Sequence, residues 1–191
     1  MPHRSHGHRG GSIEGRHSRV YDRLARWLMK PLYRRFAADI AASAPEGASV
    51  LDAGTGPGLL LGAIARARPD LRLSGIDLAE DMIDHARRNL ADLEERPDLR
   101  AADVADLPFE GDRFDLVVST FSAHHWDDPE AASSELARVL RAGGRLLVYD
   151  FRWAPFGALT RRPGLTGVGR TPFRTGLGPI MKVARFEARA D

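Results

Sequence analysis

Apolar positions follow two rhythms along this chain. From Val20 to Ala44 the residues Leu24, Trp27, Leu28, Leu32, Phe36 and Ile40 recur at steps of three and four, the period of a helix with one buried face. Lys30-Pro31 is expected to divide that run into two helices, because proline lacks an N–H and disfavours helix in its predecessor. Ala44-Pro45-Glu46-Gly47 then turns into a short apolar strand, Ala48 to Leu51. A glycine-rich turn leads from it into the apolar run Leu59-Leu60-Leu61-Gly62-Ala63-Ile64-Ala65, read as a helix. A strand over Leu71–Asp77, a helix from Glu80 to Leu93 and a weak strand over Asp98–Ala102 follow. Phe114 to Ser119 is almost wholly apolar, which predicts a strand buried on both faces.

Asp127-Asp128-Pro129-Glu130 caps a helix over Glu130–Leu140, which Gly143-Gly144 should stop at and beyond its C-terminus. Arg145–Phe151 is the fifth strand. After it there is room for a short helix within Pro155–Arg162. Two strands, Val168–Thr175 and Ile180–Ala190, then join near Gly176-Leu177-Gly178-Pro179 as a final antiparallel hairpin. Strands alternating with helices predict a three-layer α/β/α sandwich around a mostly parallel, Rossmann-like sheet.

Length and composition narrow this picture. The 191 residues, 43% of them hydrophobic, suit one domain with a packed core. Residues 1–17 have no hydrophobic period and read as a disordered tail, or as a vector remnant, since Ile13-Glu14-Gly15-Arg16-His17 resembles a protease-site linker. The folded domain is expected over residues 18–191. No apolar run approaches a membrane span and no secretory signal is visible, and with no Cys the chain suits the cytoplasm. No metal-ligand cluster stands out. Residues 1–35 hold nine Arg or Lys against two acids. That basic arm is a solvated face rather than a nucleic-acid surface, because aromatics are not interleaved with it before Tyr21.

The chemistry starts at Val50-Leu51-Asp52-Ala53-Gly54-Thr55-Gly56-Pro57-Gly58. Glycines at alternate positions, Gly54 and Gly56 among them, let backbone approach a ligand closely. A dinucleotide turn, G-x-G-x-x-G, needs a third glycine where Leu59 stands, which argues against a nicotinamide-dependent oxidoreductase. Asp52 suits a ligand with an ammonium group. Asp77, ending the second strand about 20 residues after the glycine turn, is the candidate for ribose hydroxyls or a helix-capping carboxylate. Leu78 follows it at the ligand edge. Met82 in the next helix faces an adenine or fills the core.

The nonapeptide resembles the first motif of class I S-adenosylmethionine-dependent methyltransferases. Val20-Tyr21-Asp22, Asp103-Val104-Ala105-Asp106-Leu107-Pro108-Phe109 and Arg138-Val139-Leu140-Arg141-Ala142-Gly143-Gly144 resemble segments of the ubiquinone/menaquinone C-methyltransferase group. The resemblance implies a seven-stranded sheet, S-adenosyl-L-methionine as cofactor and S-adenosyl-L-homocysteine as product. It implies that residues 18–44 form a helical lid with Tyr21 over the methionine end, and that Asp103 and the Val104 backbone take the adenine. Ser119 and Thr120 are implied at the methionine moiety. His124 and His125 leave the fourth strand at the reactive rim, where either is a candidate base or shapes the pocket. No Asn-Pro-Pro-Tyr follows that strand, which argues against nucleic-acid amino-methylation. The acceptor is expected to be a small organic molecule. A module that binds the cofactor without turnover is the alternative from another class.

Overall fold

A computed structural model describes the backbone of residues 16–176 and 181–191, with side chains from Met29 onward within those ranges. The chain falls into two units, Met1–Lys30 and Pro31–Asp191. In the first, the described backbone is the opening part of helix α1, which runs Arg16–Ser43 and so begins two residues inside the expected tail.

The second unit contains β1 (Ser49–Ala53), α2 (Leu59–Ala67), β2 (Arg72–Asp77), α3 (Glu80–Asn89), β3 (Asp98–Ala101) and β4 (Phe114–Thr120). A short 3-10 turn at Ala123–His125 precedes α4 (Pro129–Val139), β5 (Leu140–Phe151), α5 (Phe156–Arg161), β6 (Leu165–Phe173) and β7 (Val183–Ala190). All seven strands form one sheet in the order β3-β2-β1-β4-β5-β7-β6. The first five are parallel, and β7 enters antiparallel between β5 and β6. From β1 the chain turns towards β2 and β3, then returns to the other side for β4. Sheets of this kind bind ligands at that reversal, beyond the carboxyl ends of the strands.

The central strands owe their position to their sequence. In β4, Leu116, Val117 and Val118 are all fully buried, as is β1 from Val50 to Ala53. One face of the sheet packs Leu51, Val117, Leu146, Val148 and Phe186 with Leu136 and Val139 of α4 and Phe156 and Leu159 of α5. On Tyr149 the C-terminal part of α1 lays Phe36, ring centroids 5.0 Å apart. The margins of the sheet are the four-residue β3 and the largely exposed β6, which carries Pro172.

Two expectations are corrected. Pro31 lies inside the continuous α1 and does not divide it. Proline within a helix costs about 3 kcal/mol. Complete burial of Leu32, Phe36 and Ile40 just after it recovers about 1.5–3 kcal/mol each. The second correction concerns Gly143-Gly144, which do not stop a helix. Helix α4 ends at Val139 and β5 starts at once, with a bulge between the pairs Phe114–Leu140 and Leu116–Arg145. A Cβ on Gly144 would lie 2.7 Å from the Arg141 carbonyl, so the bulge requires glycine there.

Candidate cofactor and active site

The glycine turn is held to the end of β2 by its own backbone. Gly54 and Thr55 both donate to the Ile76 carbonyl, at 2.9 and 2.8 Å, and Gly56 donates to Asp77 Oδ2 at 2.8 Å. Gly54 and Gly56 adopt φ of 81° and 52°, which side chains disfavour. A Cβ on Gly54 would sit 2.1 Å from Ser122 Oγ, whereas the space above Gly56 is open.

Asp77 Oδ1 accepts from the Ala79 amide at 3.0 Å. The N-cap of α3 is Ala79, so Asp77 makes a side-chain turn before the helix rather than capping it. Each of its oxygens keeps a second lone pair for another donor. Leu78 next to it is 71% exposed, a large apolar side chain in the open at the strand end. Met82 is half-buried, and the core position of that turn belongs to Ile83.

Asp52 is fully buried, yet neither carboxylate oxygen has a hydrogen-bond partner among the described residues. The buried Thr55 and Ser119 hydroxyls are also unpartnered there. Burial pushes the Asp52 carboxyl up to about 7. The nearby Thr55 hydroxyl pulls it back in part, and the Asp77 charge adds to the rise. Buried polar groups are ordinarily paired, and an unpaired one costs about 1–3 kcal/mol. Three such side chains at the ends of β1 and β4 mark a place built for a polar ligand. Tyr33 of α1 stands near enough for the Asp52 charge, after burial, to help push its phenol up to about 12.

Across the β2 edge, the Ala102 amide donates to the Asp77 carbonyl at 3.0 Å and so fixes the loop after β3. Asp103 is exposed, and its Oδ1 accepts from the Ala105 amide at 2.9 Å. Val104 packs against the core. Leu107 and Phe109 are buried and anchor this loop as expected. Glu135 of α4, which the sequence reading missed, and Arg138, which it quoted only as part of a family segment, bind its backbone at the Leu107 amide and at the Leu107 and Phe109 carbonyls.

At the rim beyond β4, Ser119 is fully buried and Thr120 nearly so, and Phe121 takes a left-handed φ of 52°. His124 Nδ1 lies 2.8 Å from Asp150 Oδ1, while its amide donates to Asp150 Oδ2 at 3.1 Å. Asp150 is fully buried and also accepts from the Phe151 amide. The His124 ring is thereby fixed through Nδ1, with Nε2 as its remaining nitrogen. His125 is exposed, its ring centroid 3.9 Å from that of His124. Asp150 was missed in the sequence, although an acid ending an apolar strand is the same signal that singled out Asp77.

The residues present fit an adenosyl amino acid. Asp52 offers a buried negative charge to an ammonium, Asp77 offers acceptors to hydroxyls, and the open backbone of the glycine turn lies between them in the chain. Tyr21 lies outside the residues whose side chains are described. Among the described residues no group of carboxylates and imidazoles is arranged to hold a metal ion, and no helix is long and apolar enough to cross a membrane.

The family model described as "Methyltransferase domain" matches residues 51–148. The chain is 32% identical to the demethylmenaquinone methyltransferase of Clavibacter sepedonicus, over 66% of this chain and 51% of that protein. It is 37% identical to the demethylmenaquinone methyltransferase of Thermus thermophilus, over 66% of this chain and 57% of the relative. It therefore spans about half the length of these relatives. A solved structure from Methanococcus maripaludis, provisionally assigned as an S-adenosyl-L-methionine-dependent methyltransferase, superposes with a TM-score of 0.66 at 26% identity, covering 77% of this chain and 68% of that one. With its sheet order, its glycine turn and a match across half its length, the chain belongs to the methyltransferase-domain family of class I, S-adenosylmethionine-dependent enzymes.

Proposed function

We propose that this protein transfers a methyl group from S-adenosyl-L-methionine to a small organic acceptor, leaving S-adenosyl-L-homocysteine. The observation that carries the reading is the buried, unpartnered carboxylate of Asp52 one strand away from Asp77. A site for phosphates would not place a buried acid just before its first glycine, where Asp52 stands. When bound, the sulfonium supplies an electrophilic methyl. The chain's own residues hold and align the reactants. Asp52 receives the ammonium, Asp77 the ribose hydroxyls, and Gly54 and Gly56 give the backbone room. Leu78 and Met82 border the adenine, and the free Oδ2 of Asp103 with the Val104 amide takes its polar edge. Ser119 and Thr120 serve the methionine portion.

His124 is the base of this proposal. Asp150 orients its ring, so Nε2 can accept a proton from the acceptor as that group attacks. General-base assistance of this kind is worth about 10²–10⁴ in rate. His125 packs at a tilt against His124 and shapes the pocket. The two relatives are named for demethylmenaquinone, which supports a small organic acceptor.

Calorimetry with S-adenosyl-L-homocysteine, followed by a labelled-methyl assay across a metabolite extract, tests the reading. Heat of binding that Asp77→Ala abolishes, with label entering a small molecule, is the expected result. Absence of heat from the folded protein would overturn it, and binding without any label transfer would favour a non-catalytic module.

A further inference from the structure

A groove of about 950 Å³ lies along the ends of β5, β6 and β7, and its lining includes Phe151, Arg152, Trp153, Arg170 and Lys182. That size lies within the range of small-molecule sites. Its charges are unbalanced. The lining carries three cations and no carboxylate. Arg152 follows Phe151 and Lys182 precedes Val183, and those two neighbours are paired across β5 and β7. The Arg152 amide donates to the Lys182 carbonyl at 3.3 Å, so the two cationic residues are cross-strand neighbours. Arg170 joins them by donating to the Arg152 carbonyl. Like charges set side by side across strands are destabilising. Among the described residues no acid pairs with any of the three, whereas Arg145 and Arg185 on the same strands are both paired with acids.

The aromatic side of the groove has its own order. Trp153 is 70% exposed and stacks one face on Phe151, the planes 6° apart. It stands T-shaped to the His124 ring, centroids 5.3 Å apart. An exposed indole face therefore adjoins both the cations and the His124–Asp150 pair.

We propose that this groove is the acceptor site and that the acceptor is a flat molecule bearing an acidic group, carboxylate or phosphate. The acidic group is held by Arg152, Lys182 and Arg170, the flat body lies on Trp153, and the reacting atom points to His124. The assignment as acceptor site rests on the methyl-transfer reading above; the preference for anions does not.

Calorimetric titrations of the full chain, with and without S-adenosyl-L-homocysteine, test it with 2-naphthoate, 2-naphthyl phosphate and the neutral methyl 2-naphthoate as probes. At least one anion should bind tenfold or more tightly than the ester, and the tighter one names the acidic group. The exposed double substitution Arg152→Gln/Lys182→Gln should weaken anion binding at least tenfold and leave the homocysteine product's affinity unchanged. Equal binding of ester and anions would overturn the proposal, as would an unaffected double variant. So would retention on anionic vesicles or single-stranded oligonucleotides that ignores all three probes. If the anions bind while the nucleoside does not, the methyl-transfer reading fails and the anion site stands.

Discussion

Asp52 couples the site to pH. Its carboxyl is pushed up to about 7, well above an ordinary Asp, so the empty folded protein holds a proton there that the unfolded chain has released. The sign follows: this group favours the folded state most below about pH 4, and that contribution is lost as pH rises to about 7. A bound ammonium reverses the preference, because it favours the ionised form. Affinity for S-adenosyl-L-homocysteine should fall as pH drops from 7 to 5, and binding near pH 6.5 should release a proton. Titrations in buffers of different ionisation enthalpy read that proton directly, and Asp52→Asn should abolish both effects. For the His124–Asp150 pair, Asp150→Asn should lower kcat by roughly 10²-fold or more while leaving product affinity within about twofold. An equal loss in binding would mean that Asp150 serves only the fold. At this scale the sequence singled out groups whose place follows from position on their own strand: Asp52 lies buried on β1 and Asp77 ends β2 against the glycine turn. It hid groups whose role depends on a partner brought close only in space. Asp150 meets His124 across 26 residues, and Tyr33 approaches Asp52 from a different element.

Among elements, the C-terminal part of α1 is tied to the sheet by polar contacts as well as by Phe36. Tyr149 Oη donates to Asp39 Oδ2 at 2.5 Å, and Arg185 bridges Asp39 and Glu187 at 2.7 and 2.6 Å. Burial, with the Asp39 bond, raises the Tyr149 phenol above its ordinary range, so it remains a donor at any physiological pH. Tyr149→Phe should cost about 1.5–3 kcal/mol in urea unfolding, the loss of a hydrogen bond to a charged group. Arg185→Ala should cost somewhat more, since Asp39 loses its cation and Glu187 keeps only Arg145. These long-range ties also explain where boundaries were misread. The local cost of Pro31 was legible, and so was the apolar face of Leu32, Phe36 and Ile40, but not that its complete burial against the sheet would outweigh that cost. The glycines after α4 signalled a break, while the immediate start of β5 depends on pairing with β4 that no local pattern encodes.

On the scale of the molecule, the alternation of strands and helices foretold the layered sheet, since each element's period is local. The entry of β7 between β5 and β6 follows from closing the hairpin onto β5, and its antiparallel sense was already implied by the short connection. One consequence of the whole arrangement is measurable. A ligand that binds only the folded state at one hundred times its Kd adds about 2.7 kcal/mol. For a domain of this size S-adenosyl-L-homocysteine should therefore raise Tm by roughly 5–10 °C. The same concentration of NAD should leave it unchanged.

Pro172 on β6 has an effect reaching past the single molecule. A sheet that ends in an open strand offers its row of amides to any neighbouring copy, and a proline tolerated in such a strand turns its missing donor outward. The opposite border is only four residues long. Pro172→Val should leave the chain folded but let chains add side by side, seen as light scattering that grows with concentration. Solubility in a crowded cell would then rest in part on a single ring at the border of the groove.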